Sequence, residues 1–256
     1  MELNYKVFGE GEPVVIIHGL FGTLDNWQSI AKKLSDDFMV FIIDLRNHGR
    51  SPHDEAFSYK IMADDVQEFM ESNWIYEAAI VGHSMGGKVA MQLAGDNPDM
   101  VQKLAVVDMA PKSYQGSHYE IFQAMFDLNL NTLQSRKDAD EQMREKIPSF
   151  GVRQFLIKNL SLNKETQKYE WKLNLPVIYD NYNHILEYTP MNDPYEGPTL
   201  FIKGETSDYI IPTELEHYQT LFPNATVETV LGAGHWVHAE QPARFLEVLT
   251  DFLKAE

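Results

Sequence analysis

Four short apolar runs punctuate the first 110 residues: PVVIIHG (13–19), FMVFIIDL (38–45), YEAAIVG (76–82) and KLAVVDMA (103–110). Each is rich in β-branched residues, and none alternates apolar with polar. That is the pattern of strands buried on both faces, which an antiparallel sheet with one wet side does not produce. The stretches between them read as amphipathic helices. DNWQSIAKKL (25–34) sets Trp27, Ile30, Ala31 and Leu34 on one face, with Asp25 available as a cap. SYKIMADDVQEFMESN repeats Ile61, Val66, Phe69 and Met70 at similar spacing, and GKVAMQLAGDNP ends before Pro98. Strand and helix in alternation predict an α/β fold, a mostly parallel doubly wound sheet with right-handed crossovers.

The alternation stops after Pro111. From 111 to 196 the chain is helical in pattern and strand-poor (HYEIFQAMFDLNLNTL, RKDADEQMREKI, VRQFLIKNLSL). It resumes with PTLFIKGE (198–205), PTELEHYQTLF (212–222), ATVETVLG (225–232) and PARFLEVLTDFLKA (242–255). The expected organisation is therefore one core built from 1–110 and 197–256, with 111–196 as a helical insertion between two of its strands. A chain of 256 residues fits one large domain carrying such an insertion.

Composition removes several function classes. With 21 Lys plus Arg against 38 Asp plus Glu, the formal charge is −17, which argues against nucleic acid or an anionic membrane as partner. There are 0 Cys, so no disulfide framework, thiolate metal site or cysteine nucleophile is expected. MELNYKVFGEGE lacks the basic-then-apolar pattern of a secretion signal, and no apolar run approaches the ~20 residues of a membrane helix. A cytoplasmic protein is the expectation.

The chemistry centres on Gly82-His83-Ser84-Met85-Gly86, a G-x-S-x-G pentapeptide between a predicted strand and a predicted helix. In that setting the serine occupies a strained turn at the helix start, flanked by positions that approach the backbone too closely for a Cβ. The hydroxyl needs a base. Of nine His, His235 in GAGHWVHAEQP falls in the loop after the last predicted strand, where carboxyl-end loops form the site of a doubly wound sheet. His238 lies closer to the following helix and is the weaker candidate. The acid has two candidates. Asp208, in KGETSDYIIP, follows a predicted strand and preserves the chain order Ser, acid, His, whereas Asp108, in AVVDMAP, ends the strand after the serine's helix. An oxyanion hole would draw on the backbone N–H of Met85 and of Leu20, the latter in HGLFG (18–22). His18 is expected to support that turn, Asp44 to anchor a loop, and Arg46 and His48 to be structural. H-E-x-x-H and the phosphate-binding Gly-rich signatures are absent, so no metal site and no cofactor are expected.

Taken together, HGLFG, DLRNHGRS, VGHSMGGK, VVDMAP and GAGHWVHAEQP resemble the α/β-hydrolase fold, and within it the YbfF-like esterases and their eukaryotic abhydrolase-domain relatives. The resemblance spans nearly the whole chain and is weakest in 111–196. It implies a serine esterase of short to medium acyl esters, working through an acyl-enzyme under a helical cap, with a small-molecule ester as its only partner, as monomer or homodimer. It carries over Ser84 as nucleophile and His235 as base, and favours Asp108 as the acid because Val-Asp-x-Ala-Pro matches the family; Asp208 stays as the alternative. Aromatic and apolar residues of the insertion (Phe122, Met125, Phe126, Phe155, Trp171, Tyr182) are expected either to wall an acyl pocket or to be ordinary core of the cap. An acyl-thioesterase, a carbon–carbon bond hydrolase or a ligand-binding receptor could be built on the same framework. Serine rather than aspartate at the nucleophile position argues against epoxide hydrolase or dehalogenase chemistry.

Overall fold

A computed structural model describes residues 1–188, 191 and 193–255. In chain order its core begins β1 (Tyr5–Phe8), β2 (Pro13–Ile17), α1 (Gln28–Leu34), β3 (Met39–Ile43), α2 (Tyr59–Ser72), β4 (Ala78–His83), α3 (Met85–Asp96) and β5 (Val101–Val107). Then come α4 (Tyr119–Phe126), α5 (Arg136–Met143), α6 (Phe150–Ile157), β6 (Leu160–Leu162), β7 (Tyr169–Trp171), α7 (Leu175–Asp180) and α8 (Tyr182–Leu186). The core closes with β8 (Thr199–Gly204), α9 (Leu215–Tyr218), β9 (Ala225–Val230), α10 (Val237–Glu240) and α11 (Pro242–Lys254).

Seven strands form one sheet in the order β1-β3-β2-β4-β5-β8-β9, parallel throughout except for the β1–β3 pair. The apolar runs are continuous because each strand feeds two cores. Val14 and Ile16 pack with Trp27, Ile30 and Leu34 and with Phe245 and Leu249 of α11, while Val15 and Ile17 pack with Met62 and Val66 of α2 and Val89 of α3. In the central strands β2 and β3 every residue past the first is buried and apolar. Asp25 does not cap α1; it is exposed and paired with Lys6, and Trp27 occupies the cap position.

Strand order reverses between β2 and β4: the chain moves from β2 to β3 on one side, then returns to place β4 on the other. Ile17 is in register with Gly82, and His83 with Val107, so β2, β4 and β5 end at one level. A crevice opens at such a switch point, at the carboxyl ends of the strands.

Between β5 and β8 the chain is helical, as its pattern predicts, with one addition. The two three-residue strands β6 and β7 pair as a small antiparallel sheet of their own. This segment is tied to the carboxyl edge of the core by polar contacts. Asn159 donates to the Phe21 carbonyl at 2.7 Å, Asn174 N–H to the Asn47 carbonyl at 3.0 Å, and the buried Lys88 ammonium of α3 to the carbonyls of Leu186 and Glu187 at 3.1 and 2.7 Å.

Candidate active site

Ser84 stands between β4 and α3 with φ 54° and ψ −120°, a conformation that costs an L-residue on the order of 1–3 kcal/mol. Its surroundings hold it there. Its N–H donates to the Val107 carbonyl at 3.0 Å, and its carbonyl accepts from Gly87 at 2.8 Å. The turn is possible because α3 lies directly on the end of β2: a Cβ on Gly86 would fall 2.4 Å from the His18 carbonyl oxygen and 2.5 Å from that of Ile17. Ser84 itself is 9% exposed, at the floor of the crevice.

His235 reaches this serine from the loop after β9. Its Nε2 lies 3.0 Å from Ser84 Oγ, and its Nδ1 lies 2.7 Å from Asp108 Oδ2. The carboxylate is an acceptor only, so Nδ1 carries the proton and Nε2 is left to accept from the hydroxyl. Asp108 is fully buried at the end of β5, and it also accepts from the Gly204 N–H at 3.0 Å and from the Ser207 hydroxyl. Asp208, the other sequence candidate, is exposed and makes no hydrogen bond to His235 among the described residues. The ring of His235 stacks on Tyr209 at 4.2 Å, and its carbonyl accepts from His83 Nε2 at 2.9 Å. Sequence reasoning did not find Ser207, Tyr209 or the role of His83. The signal for the first two is the loop KGETSDY itself, in which Ser207 and Tyr209 flank the Asp208 candidate.

The two backbone donors sit beside Ser84. Met85 is the first residue of α3, whose N–H groups have no intrahelical acceptor, and Leu20 lies in the turn closed by Gly22 N–H to Gly19 carbonyl at 2.9 Å. Neither the Leu20 nor the Met85 amide donates to another group among the described residues. His18 fixes that turn: Nδ1 bonds the Gly19 carbonyl at 2.9 Å, and Nε2 accepts from Leu45 N–H at 3.0 Å. Burial pushes His18 down to about 4, so it stays neutral at physiological pH. Asp44 accepts from the amides of Leu24 and Arg50 at 2.7 and 2.9 Å, and Arg46 forks onto the buried Asp65. His48 is buried behind His18 and held down to about 3 by burial, with His18 a lesser cause. None of these side chains meets Ser84.

A cavity of about 200 Å³ opens over Ser84 and His235, walled by Phe21, Ile121, Val152, Phe155, Leu156 and Trp236. A smaller one, about 30 Å³, lies beside Leu20 and Met85 under Tyr114 and Tyr182. An open groove of about 850 Å³ leads outward from Phe155 and Trp236 between α1, α6 and α10. The structure divides these residues between the two expectations. Phe155 borders the large cavity and Tyr182 the small one. Phe122 packs edge-on behind Phe21 of the wall without bordering the cavity, Met125 is buried, Phe126 is 44% exposed, and Trp171 packs half-buried on β7. Among the described residues no group of three or more His, Asp or Glu could hold a metal, and no helix is long and apolar enough to cross a membrane.

Comparison with known proteins agrees with this architecture. The family model for the alpha/beta hydrolase fold matches residues 12–242. The sn-1-specific diacylglycerol lipase ABHD11 of Mus musculus is 38% identical over 248 residues, 94% of this chain and 80% of that protein. Esterase YbfF of Escherichia coli is 37% identical over 242 residues, 94% of this chain and 92% of that one. A solved marine microorganism esterase superposes with a TM-score of 0.95 at 41% identity, covering 98% of this chain and 99% of its own. Fold, crevice and relatives converge: the chain belongs to the α/β-hydrolase fold family.

Proposed function

We propose that this protein is a serine hydrolase of carboxylic esters, with Ser84 as nucleophile, His235 as base and Asp108 as the acid behind it. The observation that carries the reading is the unbroken relay Ser84 Oγ, His235, Asp108, with contacts of 3.0 and 2.7 Å at the floor of an apolar cavity. The names of the relatives, an esterase and a diacylglycerol lipase, support ester hydrolysis as the activity.

In this reading Ser84 Oγ adds to the ester carbonyl as His235 Nε2 takes its proton. The oxyanion accepts from the Leu20 and Met85 amides, which have no other partner to give up. Asp108 keeps Nδ1 protonated and stabilises the imidazolium. The tetrahedral adduct collapses, and His235 Nε2–H protonates the departing alcohol. Water then enters, His235 takes its proton, and a second tetrahedral adduct releases the acid and restores Ser84. Residues 111–196 act as a cap over a core of 1–110 and 197–256. A cavity of about 200 Å³ suits small esters of short to medium acyl chain, acyl and alcohol portions together, and apolar contacts discriminate only ~1–3 kcal/mol per methylene, so tolerance among them is broad.

The test is hydrolysis of a p-nitrophenyl ester series from acetate to octanoate, with covalent labelling by a fluorophosphonate. Wild type turns over the series and is labelled at Ser84. Ser84→Ala loses the label and on the order of 10⁴-fold or more in kcat. Near wild-type turnover by Ser84→Ala overturns the mechanism, and faster turnover of matched acyl-thioesters than of esters reassigns the substrate.

A further inference from the structure

A second imidazole shares the cavity with His235. His118, just before α4, borders both the large cavity and the small one, and Ser84 borders both as well. Its protonation follows from counting hydrogen bonds around Tyr182. That phenol is 1% exposed, and its oxygen accepts from the N–H groups of Ser117 and His118, each at 3.1 Å. Both lone pairs are then engaged. The remaining contact, 2.7 Å to His118 Nδ1, takes the phenolic proton, since otherwise a buried O–H would be left without an acceptor. Nδ1 is therefore an acceptor, and the ring proton sits on Nε2. Among the described residues no group of the chain accepts from it.

We propose that His118 is a substrate-positioning residue, a single fixed N–H donor that binds an acceptor oxygen in the alcohol portion of the ester. This rests on the esterase reading above. The alcohol side is indicated by place. The leaving oxygen must depart against His235 Nε2, and His118 and His235 border the same cavity. Burial, with the neighbouring charge of His235 as the second cause, holds His118 down to about 4. It is thus a neutral donor throughout the range in which such a hydrolase works. The wall also carries Asn26, Tyr209 and Trp236, but among the described residues His118 is the imidazole that borders both cavities beside Ser84 with an N–H left to give, so an oxygen in the alcohol portion is assigned to this ring. The preferred substrates are esters of oxygenated alcohols over plain alkyl esters of equal length.

Two isosteric probes test this: 2-methoxyethyl butyrate, which carries an acceptor oxygen, and butyl butyrate, which carries a methylene in its place. Wild type is expected to favour the ether ester by about tenfold in kcat/KM, the worth of one hydrogen bond inside an apolar site. His118→Phe brings the ratio to about one, whatever its effect on kcat for butyl butyrate. His118→Gln keeps a side-chain N–H and restores part of the ratio. Tyr182→Phe frees the tautomer and lowers it. A purely structural role would change both substrates together and leave the ratio alone. A wild-type ratio of one, or a ratio unmoved by His118→Phe, overturns the proposal while leaving the esterase reading intact. Absence of turnover on either ester by wild type overturns both.

Discussion

Asp108 occupies a backbone position with φ 48°, where Asn is among the few side chains tolerated without redesign of the turn. Asp108→Asn therefore preserves the end of β5 while removing the carboxylate that fixes His235. An amide facing Nδ1 favours the wrong tautomer, and kcat should fall by about 10⁴-fold. Asp208→Asn changes an exposed side chain and should leave kcat within about twofold. Steady-state kinetics on one ester separate the two, and a loss that follows Asp208 alone would reassign the acid. Chain order could not make this choice because it describes both residues equally well, and only the likeness of Val-Asp-x-Ala-Pro to the family favoured Asp108. What separates them is direction. Asp108 ends a strand in register with β4 and meets the amide of Gly204 and the hydroxyl of Ser207, whereas Asp208, one residue past Ser207, turns outward. Ser84 and His235 were legible because each is fixed by a loop at the end of a strand, and strand ends are readable from apolar runs.

At the scale of elements, the decisive contact is between α3 and the end of β2. Gly86→Ala would drive a Cβ to 2.4 and 2.5 Å from two carbonyl oxygens of the backbone, which cannot rotate away as a side chain could. The helix must then lift, and Ser84 with it. We expect destabilisation of about 1–3 kcal/mol together with a loss of kcat well beyond what that destabilisation explains. Gly151→Ala in α6 is the control: nothing lies within 4 Å of the added Cβ, so it should be neutral or stabilise by up to about 1 kcal/mol. Thermal melts and ester turnover of the two variants check this, and equal behaviour would contradict it. The parallel strands were readable because two cores demand unbroken apolar runs. β1 was not, for the same reason inverted. It is a four-residue edge strand whose Tyr5 and Val7 are 41% and 48% exposed, so it is too short and too open to show an unbroken buried run. Which aromatics of the insertion wall the cavity was not readable, because an aromatic residue in an amphipathic helix says only that it is covered, and Phe122 is covered by Phe21 of the core as well as by Tyr179 and Tyr182 of its own segment.

For the whole molecule, two effects of acid oppose each other. A chain of formal charge −17 and pI near 4.9 repels itself at pH 7, and protons relieve that repulsion. Against this stand the buried imidazoles. Burial is the main cause that holds His18 down to about 4 and both His48 and His238 to about 3, while an unfolded chain returns each to its ordinary value of 6.5. Below pH 6.5 the unfolded chain therefore takes up protons that the folded chain refuses. Stability must fall as the pH drops from 6.5 toward 4, and the contribution is fully present above 6.5. Three such groups give a slope approaching about 4 kcal/mol per pH unit in the middle of that window, from three protons at about 1.4 kcal/mol each. This is steep against a total stability of about 5–15 kcal/mol, so the histidines should win. The repulsion is relieved chiefly as carboxylates take up protons toward the acid end of this window. Salt separates the two effects: at 1 M the screening length is about 3 Å, which removes surface repulsion but leaves the buried rings untouched. Urea midpoints measured from pH 7 to 5 in 1 M NaCl should fall steadily, and a midpoint that stays level or rises would show that these rings are not kept neutral by the fold.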